Sequence, residues 1–228
     1  MLVLVVDSST PAVTAALAEI NPGGVVPRAE RSKVDARAHG ELLAPQIDAA
    51  LGEIGARPGD LAAIVAGLGP GPFTGLRVGL VTAATMGQAL GVPTYGVCSL
   101  DAFGSVAPPG QRLLAATDAR RREVYWAVYE ATDTGAVRSF GPAVDAPATG
   151  ATRARELGAT VAVGEGARRY ASDLALPLLP GPDHPAPYAL AALAAERVLA
   201  GAPSEPLTPL YLRRPDAVAA TTRKRVLQ

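Results

Sequence analysis

The sequence predicts an α/β fold duplicated within one chain, and three observations carry the prediction. An apolar run that ends at an aspartate occurs twice, as Leu2–Val6 before Asp7 and as Leu113–Thr117 before Asp118. Each is followed by a polar turn and an alternating run that reaches a glutamate twelve residues after the aspartate, at Glu19 and at Glu130. Each half then reads strand, helix, strand, helix, and Pro108-Pro109-Gly110 separates the halves.

The elements follow in order. Leu2–Val6 is a continuous apolar strand, and Asp7-Ser8-Ser9-Thr10 is the polar turn that ends it. Ala12–Glu19 pairs with it as a hairpin, and Asn21-Pro22-Gly23-Gly24 turns the chain into a third strand, Val25–Arg31. Between Ala38 and Ile54 the residues Leu43, Ile47, Leu51 and Ile54 recur at helical spacing, with Pro45 predicting a kink or a late start. Leu61–Ala66 is a buried strand that enters a glycine-rich stretch, and Gly75–Leu90 is a helix leaving it. Strand Pro93–Val97 and a short helix over Ser99–Ser105 complete the first half. In the second half, strand Leu113–Thr117, turn Ala119–Arg122 and strand Val124–Tyr129 repeat the opening hairpin, Val124 overlaying Val13 and Val128 overlaying Leu17. Strand Ala136–Val144, helix Ala148–Leu157, strand Thr160–Val163 and helices Ala167–Leu174 and Pro187–Leu199 follow. The predicted domains are residues 1–107 and 111–212, with 213–228 as a basic, flexible tail carrying Arg213, Arg214, Arg223, Lys224 and Arg225.

Composition excludes several classes. The formal net charge is zero, so bulk electrostatics makes no case for autonomous nucleic-acid binding. The single cysteine, Cys98, excludes an internal disulfide and suits a cytoplasmic protein. Two histidines, His39 and His184, are too few for a histidine-rich metal site. No apolar run is long enough for a membrane span, and Leu2–Val6 meets Asp7 too early, without a basic leader, to be a signal peptide.

The stretch Gly67-Leu-Gly-Pro-Gly-Pro-Phe-Thr-Gly-Leu-Arg-Val-Gly79 organises the first half. Gly67, Gly69, Gly71 and Gly75 permit close backbone approach, and Pro70 and Pro72 stiffen the turn. Thr74 is the expected N-cap of the following helix, with Arg77 in its first turn. Free N–H groups at that helix start, beside a cation, could hold an anion. The plainer reading of the same residues, a rigid strand-to-helix turn, is the favoured one, because neither a Walker loop nor Gly-x-Gly-x-x-Gly is present.

These segments, taken together, resemble one bacterial family. The duplicated plan is that of the actin, sugar kinase and Hsp70 superfamily, with its RNase H-like domains. Asp7-Ser-Ser-Thr10, Ala38-His-Gly-Glu-Leu-Leu43 and Gly69-Pro-Gly-Pro-Phe-Thr-Gly-Leu-Arg-Val-Gly79 look like the TsaB family. So do Val97-Cys-Ser-Leu100, Asp118-Ala-Arg-Arg-Arg-Glu-Val-Tyr-Trp126 and Pro209-Leu-Tyr-Leu-Arg213. The resemblance runs from Leu2 to about Arg214.

The resemblance implies a dimerisation subunit of the complex that forms N6-threonylcarbamoyladenosine beside the tRNA anticodon, formerly grouped with the M22 glycopeptidases. It implies a catalytic paralogue, TsaD, and an ATPase subunit, TsaE, as partners, indirect contact with tRNA, and a homodimer when the chain is alone. TsaD carries a His-x-x-x-His metal pair where this chain has Ser99 and Phe103, so the expectation is a subunit with no catalytic residues, metal or required cofactor. The alternative is an independent metal-dependent enzyme, a phosphotransferase or a peptidase. In the superfamily plan Asp7, Ser8, Ser9, Gly69, Gly71, Thr74, Gly75, Arg77 and Asp118 would mark vestigial phosphate loops for ATP or ADP. There Asp7 and Asp118 either hold hydrated Mg²⁺ or cap hairpin turns.

Two residues and one cluster have plainer readings: His39 as a helix-start or surface residue, Cys98 as a buried small hydrophobe, and Arg120, Arg121 and Arg122 as a solvated turn. The partner surface is expected on two helices of the first half, through Leu43, Ile47, Leu76, Leu80, Val81, Ala84, Met86, Gly87 and Leu90.

Overall fold

The computed structural model describes residues 1–133 and 135–213. Strands β1 (Leu2–Asp7), β2 (Ala12–Asn21) and β3 (Gly24–Val34) precede helix α1 (His39–Glu53). Strand β4 (Ala63–Gly67), helix α2 (Phe73–Leu90), strand β5 (Thr94–Val97) and a 3₁₀ segment over Ser99–Val106 follow. The second half opens with β6 (Arg112–Asp118), β7 (Val124–Thr132) and β8 (Gly135–Asp145). Helix α3 (Pro147–Glu156), strand β9 (Ala159–Val163), the short helices α4 (Glu165–Arg169) and α5 (Ala171–Leu174), and α6 (Pro187–Leu199) complete it.

The duplication is visible in the sheets. One runs β3-β2-β1-β4-β5 and the other β8-β7-β6-β9, so the second repeats the first without its fifth strand. In each, the opening hairpin is antiparallel and the strand after the first helix pairs in parallel with the first strand. This is the actin and sugar kinase-like arrangement. The two hairpins differ by one residue. Asp7 pairs with Thr14, whereas Asp118 pairs with Val124, because the second turn tightens through Arg120, Arg121 and Arg122 at φ of 59°, 52° and 59°.

Alternation along the strands gives the first sheet two covered faces. Leu4, Val6, Ala15 and Leu17 pack under α1 and α2, while Val3, Val5, Ala16, Ala18 and Ile20 pack under α6. The second sheet buries Leu114, Ala116, Trp126 and Val128 against α3 and α4. Its other face buries Leu113, Ala115, Tyr125, Ala127 and Tyr129 against the 3₁₀ segment, with Phe103 at 0% exposure. That segment therefore carries the connection between the halves.

Several sequence expectations change. Residues 111–212 do not keep to the second half, because α6 lays Leu190, Ala191, Ala194 and Val198 on the first sheet. The face opposite α1 and α2 would otherwise be bare apolar surface. The strap after α6 stays with the first half, along the β5 edge: Glu205 N–H donates to the Thr94 carbonyl at 2.9 Å and Leu210 N–H to that of Leu68 at 2.8 Å. Helix α1 starts at His39 and contains Pro45 without a late start. The predicted Ala167–Leu174 helix is broken at Tyr170 into α4 and α5. Of the predicted tail, Arg213 is described, while residues 214–228 lie outside the described residues. Among the described residues, no helix is long and apolar enough to cross a membrane.

Candidate functional site

The turn after β1 and the glycine stretch after β4 meet in a buried knot. Asp7 Oδ1 accepts from the Ser9 N–H at 3.0 Å and the Ser9 hydroxyl at 2.7 Å. Asp7 Oδ2 accepts from the Ser99 hydroxyl at 2.5 Å, and Ser99 Oγ accepts from the Gly69 N–H at 3.0 Å. Burial raises the Asp7 carboxyl above its ordinary range, against the lowering effects of Ser99, Ser9 and His39. Ser8 Oγ donates to the Gly75 carbonyl at 2.8 Å and accepts from the Gly79 N–H at 2.9 Å. The serine therefore fastens the hairpin to the first turns of α2.

The glycines are there for room. A Cβ on Gly67 would overlap Asp7 Oδ2 and lie 2.6 Å from Ser99 Oγ, and one on Gly71 would overlap the Ser9 backbone. Gly75 has the same role against His39, whose ring would lie 3.0 Å from a Cβ. His39 is itself buried, its Nε2 bonded to the Thr10 carbonyl at 2.9 Å, so Nε2 carries the proton.

These contacts revise the phosphate-loop reading. Asp7, Ser8, Ser9, Gly69, Gly71 and Gly75 are brought together, but the side chains of Asp7, Ser8 and Ser9 are bound within the knot. Asp118 lies in the other sheet, where Tyr170 donates to it at 2.9 Å and Arg169 stands 3.9 Å away. Thr74 is not the N-cap: α2 begins at Phe73 with Pro72 in the capping position, and Thr74 is exposed in the first turn. Arg77 does not reach an anion position either. Its guanidinium lies 3.8 Å over the Phe73 ring and its Nε donates to Tyr211 Oη at 2.7 Å, with Phe73 and Tyr211 stacked at 5.0 Å. That cluster holds the strap on α2. Among the described residues, no group of three His, Cys, Asp or Glu is placed to hold a metal.

The interface reading is revised as well. Leu43, Ile47, Leu76, Leu80 and Gly87 are buried against the first half's own core. A Cβ on Gly87 would lie 2.5 Å from Thr94 Cγ2, so its smallness serves packing within the chain. Met86 and Leu90 are half-buried on the same cluster. Val81 is 62% exposed and Ala84 is exposed, and these two alone of the nine lie on the outer face. Helical periodicity identifies a stripe, but the most regular stripe is the one a helix turns inward.

Sequence reasoning missed a second feature, a cleft of about 650 Å³ between the halves. Arg37, the starts of α1 and α2, Arg120, Arg121, Tyr125, Tyr211 and Arg213 line it. No local signal joins residues that far apart in the chain.

Comparison with known proteins adds the family. Residues 13–178 match the family model "TsaD: tRNA N6-adenosine threonylcarbamoyltransferase". An uncharacterized protein of Mycobacterium tuberculosis is 48% identical, over 94% of this chain and 93% of its own length. The tRNA threonylcarbamoyladenosine biosynthesis protein TsaB of Escherichia coli is 34% identical over 138 residues, covering 59% of this chain and 58% of that protein. The fold superposes with a TM-score of 0.75 on a crystal structure from Pseudomonas aeruginosa described as an uncharacterized protein with similarity to peptidase YEAZ. The two are 29% identical, over 93% of this chain and 99% of that one.

Proposed function

The chain belongs to the TsaB/YeaZ family, within the wider TsaD family whose model it matches, and on that premise we propose that it is a noncatalytic subunit for tRNA threonylcarbamoyladenosine formation. It binds and stabilises the catalytic paralogue TsaD, with the ATPase TsaE as a further partner. The observation that carries this reading is the fate of Ser99 and Phe103. Phe103 fills the core of the second half at 0% exposure, and the Ser99 hydroxyl is taken up by Asp7 and Gly69. The positions that correspond to the paralogue's metal-binding pair are thus spent on packing and on the buried knot.

The outer faces of α1 and α2 support the partner role. They present Ala44, Ala49 and Gly52 on one helix and Val81, Ala84 and Ala89 on the other, all exposed. Small side chains let a second pair of helices approach closely, and a partner of the same fold would make the contact pseudo-symmetric. Coexpression with the organism's own TsaD tests the proposal. A stable complex is expected, and Val81→Glu should weaken it at least tenfold, since a charge would be buried at its centre. Full affinity in that variant would refute the placement. Modification of tRNA by this chain alone, or stoichiometric metal with ATP turnover, would refute the noncatalytic reading.

A further inference from the structure

A second groove, of about 600 Å³, lies between the C-terminal half of α2 and the strap that follows α6. Small residues of α2, Ala84 and Gly87, line one side, and Pro203, Pro206 and Leu207 of the strap make the other side apolar. Ala84 is also exposed on the outer face of α2. The groove is therefore continuous with the surface through which the chain would meet TsaD.

Two helices end at this groove. Helix α2 stops at Leu90 and turns through Gly91 at φ 68°, and α6 stops at Leu199 and turns through Gly201 at φ 57°; both glycines line the space. The negative ends of two helix dipoles thus meet in one place. The Ala89 and Leu90 carbonyls would take the N–H groups four residues on, but Pro93 has none and that of Thr94 donates to Ser204 Oγ at 3.0 Å. The last turn of α2 carries no basic residue, and no lysine or arginine lines the groove among the described residues. Glu205 lines it, but Arg197 holds both its carboxylate oxygens at 2.9 and 2.7 Å, so that pair anchors the strap.

We propose that this groove receives a lysine or arginine side chain of TsaD. The partner's identity rests on the proposed function; the groove adds the chemistry of its anchor. The apolar strap takes the methylene stem, and the carbonyl ends of α2 and α6 take the charged head. An acidic anchor would be repelled by the same helix ends. An apolar anchor would cut their carbonyls off from water without supplying a donor.

Two measurements on the full chain test this. In the first, N-acetyl-arginine amide is titrated into the isolated chain, with N-acetyl-glutamine amide as the neutral control. Saturable shifts of backbone amide resonances at residues 87–94 and 201–207 are expected with the arginine probe alone. In the second, affinity for TsaD is compared between Gln88→Lys and Gln88→Glu. Gln88 is exposed on the groove, so both variants keep the fold. Gln88→Lys should weaken the complex about tenfold, and Gln88→Glu should leave it unchanged or tighter. Equal weakening by the two variants overturns the proposal, as does the absence of saturable shifts up to about 50 mM arginine probe. Loss of a homodimer in Gln88→Lys with TsaD affinity intact also overturns it, because the occupant is then a second copy. Failure of the unsubstituted chain to bind TsaD overturns the proposed function and the occupant together, whereas a bound TsaD indifferent to the sign of residue 88 overturns the groove alone.

Discussion

Gly67→Ala should be among the most destabilising single-methyl additions in this chain. Gly67 ends β4, and a Cβ there would overlap Asp7 Oδ2 and crowd Ser99 Oγ at 2.6 Å. Neither atom can yield cheaply, because Asp7 is 2% exposed and Ser99 1% exposed. Displacing Oδ2 breaks its bond from Ser99, a buried bond to an ionisable acceptor worth about 1.5–3 kcal/mol, and orphaning a buried partner adds about 1–3 kcal/mol. The expected loss is about 3–5 kcal/mol, against a total stability of about 5–15 kcal/mol. For a chain of this size that corresponds to a fall in Tm of about 6–20 °C. Urea denaturation followed by circular dichroism measures it. Gly52→Ala is the control: it lies in α1, where a Cβ meets nothing within 4 Å, and should stabilise by about 0.5–1 kcal/mol. A double-mutant cycle with Asp7→Ala should recover part of the Gly67→Ala loss. A Gly67→Ala chain within about 1 kcal/mol of the parent would refute the account of the knot.

Two further outcomes follow from buried groups. Burial raises the Asp7 carboxyl above its ordinary range, so its contribution to stability is present below the unfolded-state value and lost as pH rises through the folded one. Asn cannot titrate, so the stability of Asp7→Asn relative to the parent should improve as pH rises from about 3.5 to 8; a pH-independent difference would count against the assignment. Burial, reinforced by Asp101, pushes the Cys98 thiol up to about 11. At pH 8 only about 0.1% is thiolate, so maleimide should label Cys98 slowly in the folded chain and rapidly in urea; equal rates would show an accessible thiol.

What the sequence by itself determined was local. The twofold α/β plan, the two hairpins ending at Asp7 and Asp118, and the span of α6 from Pro187 to Leu199 follow from side-chain periodicity and turn residues. The glycine stretch was legible as a place where backbone must come close, and Gly67 and Gly71 show what comes close there. One helix boundary moved because the expected side-chain cap does not form. Helix α2 begins at Phe73 rather than behind a Thr74 cap, with the Leu76 N–H bonded to the Pro72 carbonyl.

Tertiary structure alone decided the rest. It put α6 on the first sheet, turned Leu43, Ile47, Leu76 and Leu80 inward, and left Val81 on the outer face. It joined Asp7 to Ser99 and gathered Arg37, Arg120 and Arg213 around one cleft. The reason is physical: periodicity shows that a helix has an apolar face, but which surface that face covers depends on what else in the chain must be kept from water. Likewise, a charge far along the sequence gains meaning only when chain closure brings it to another.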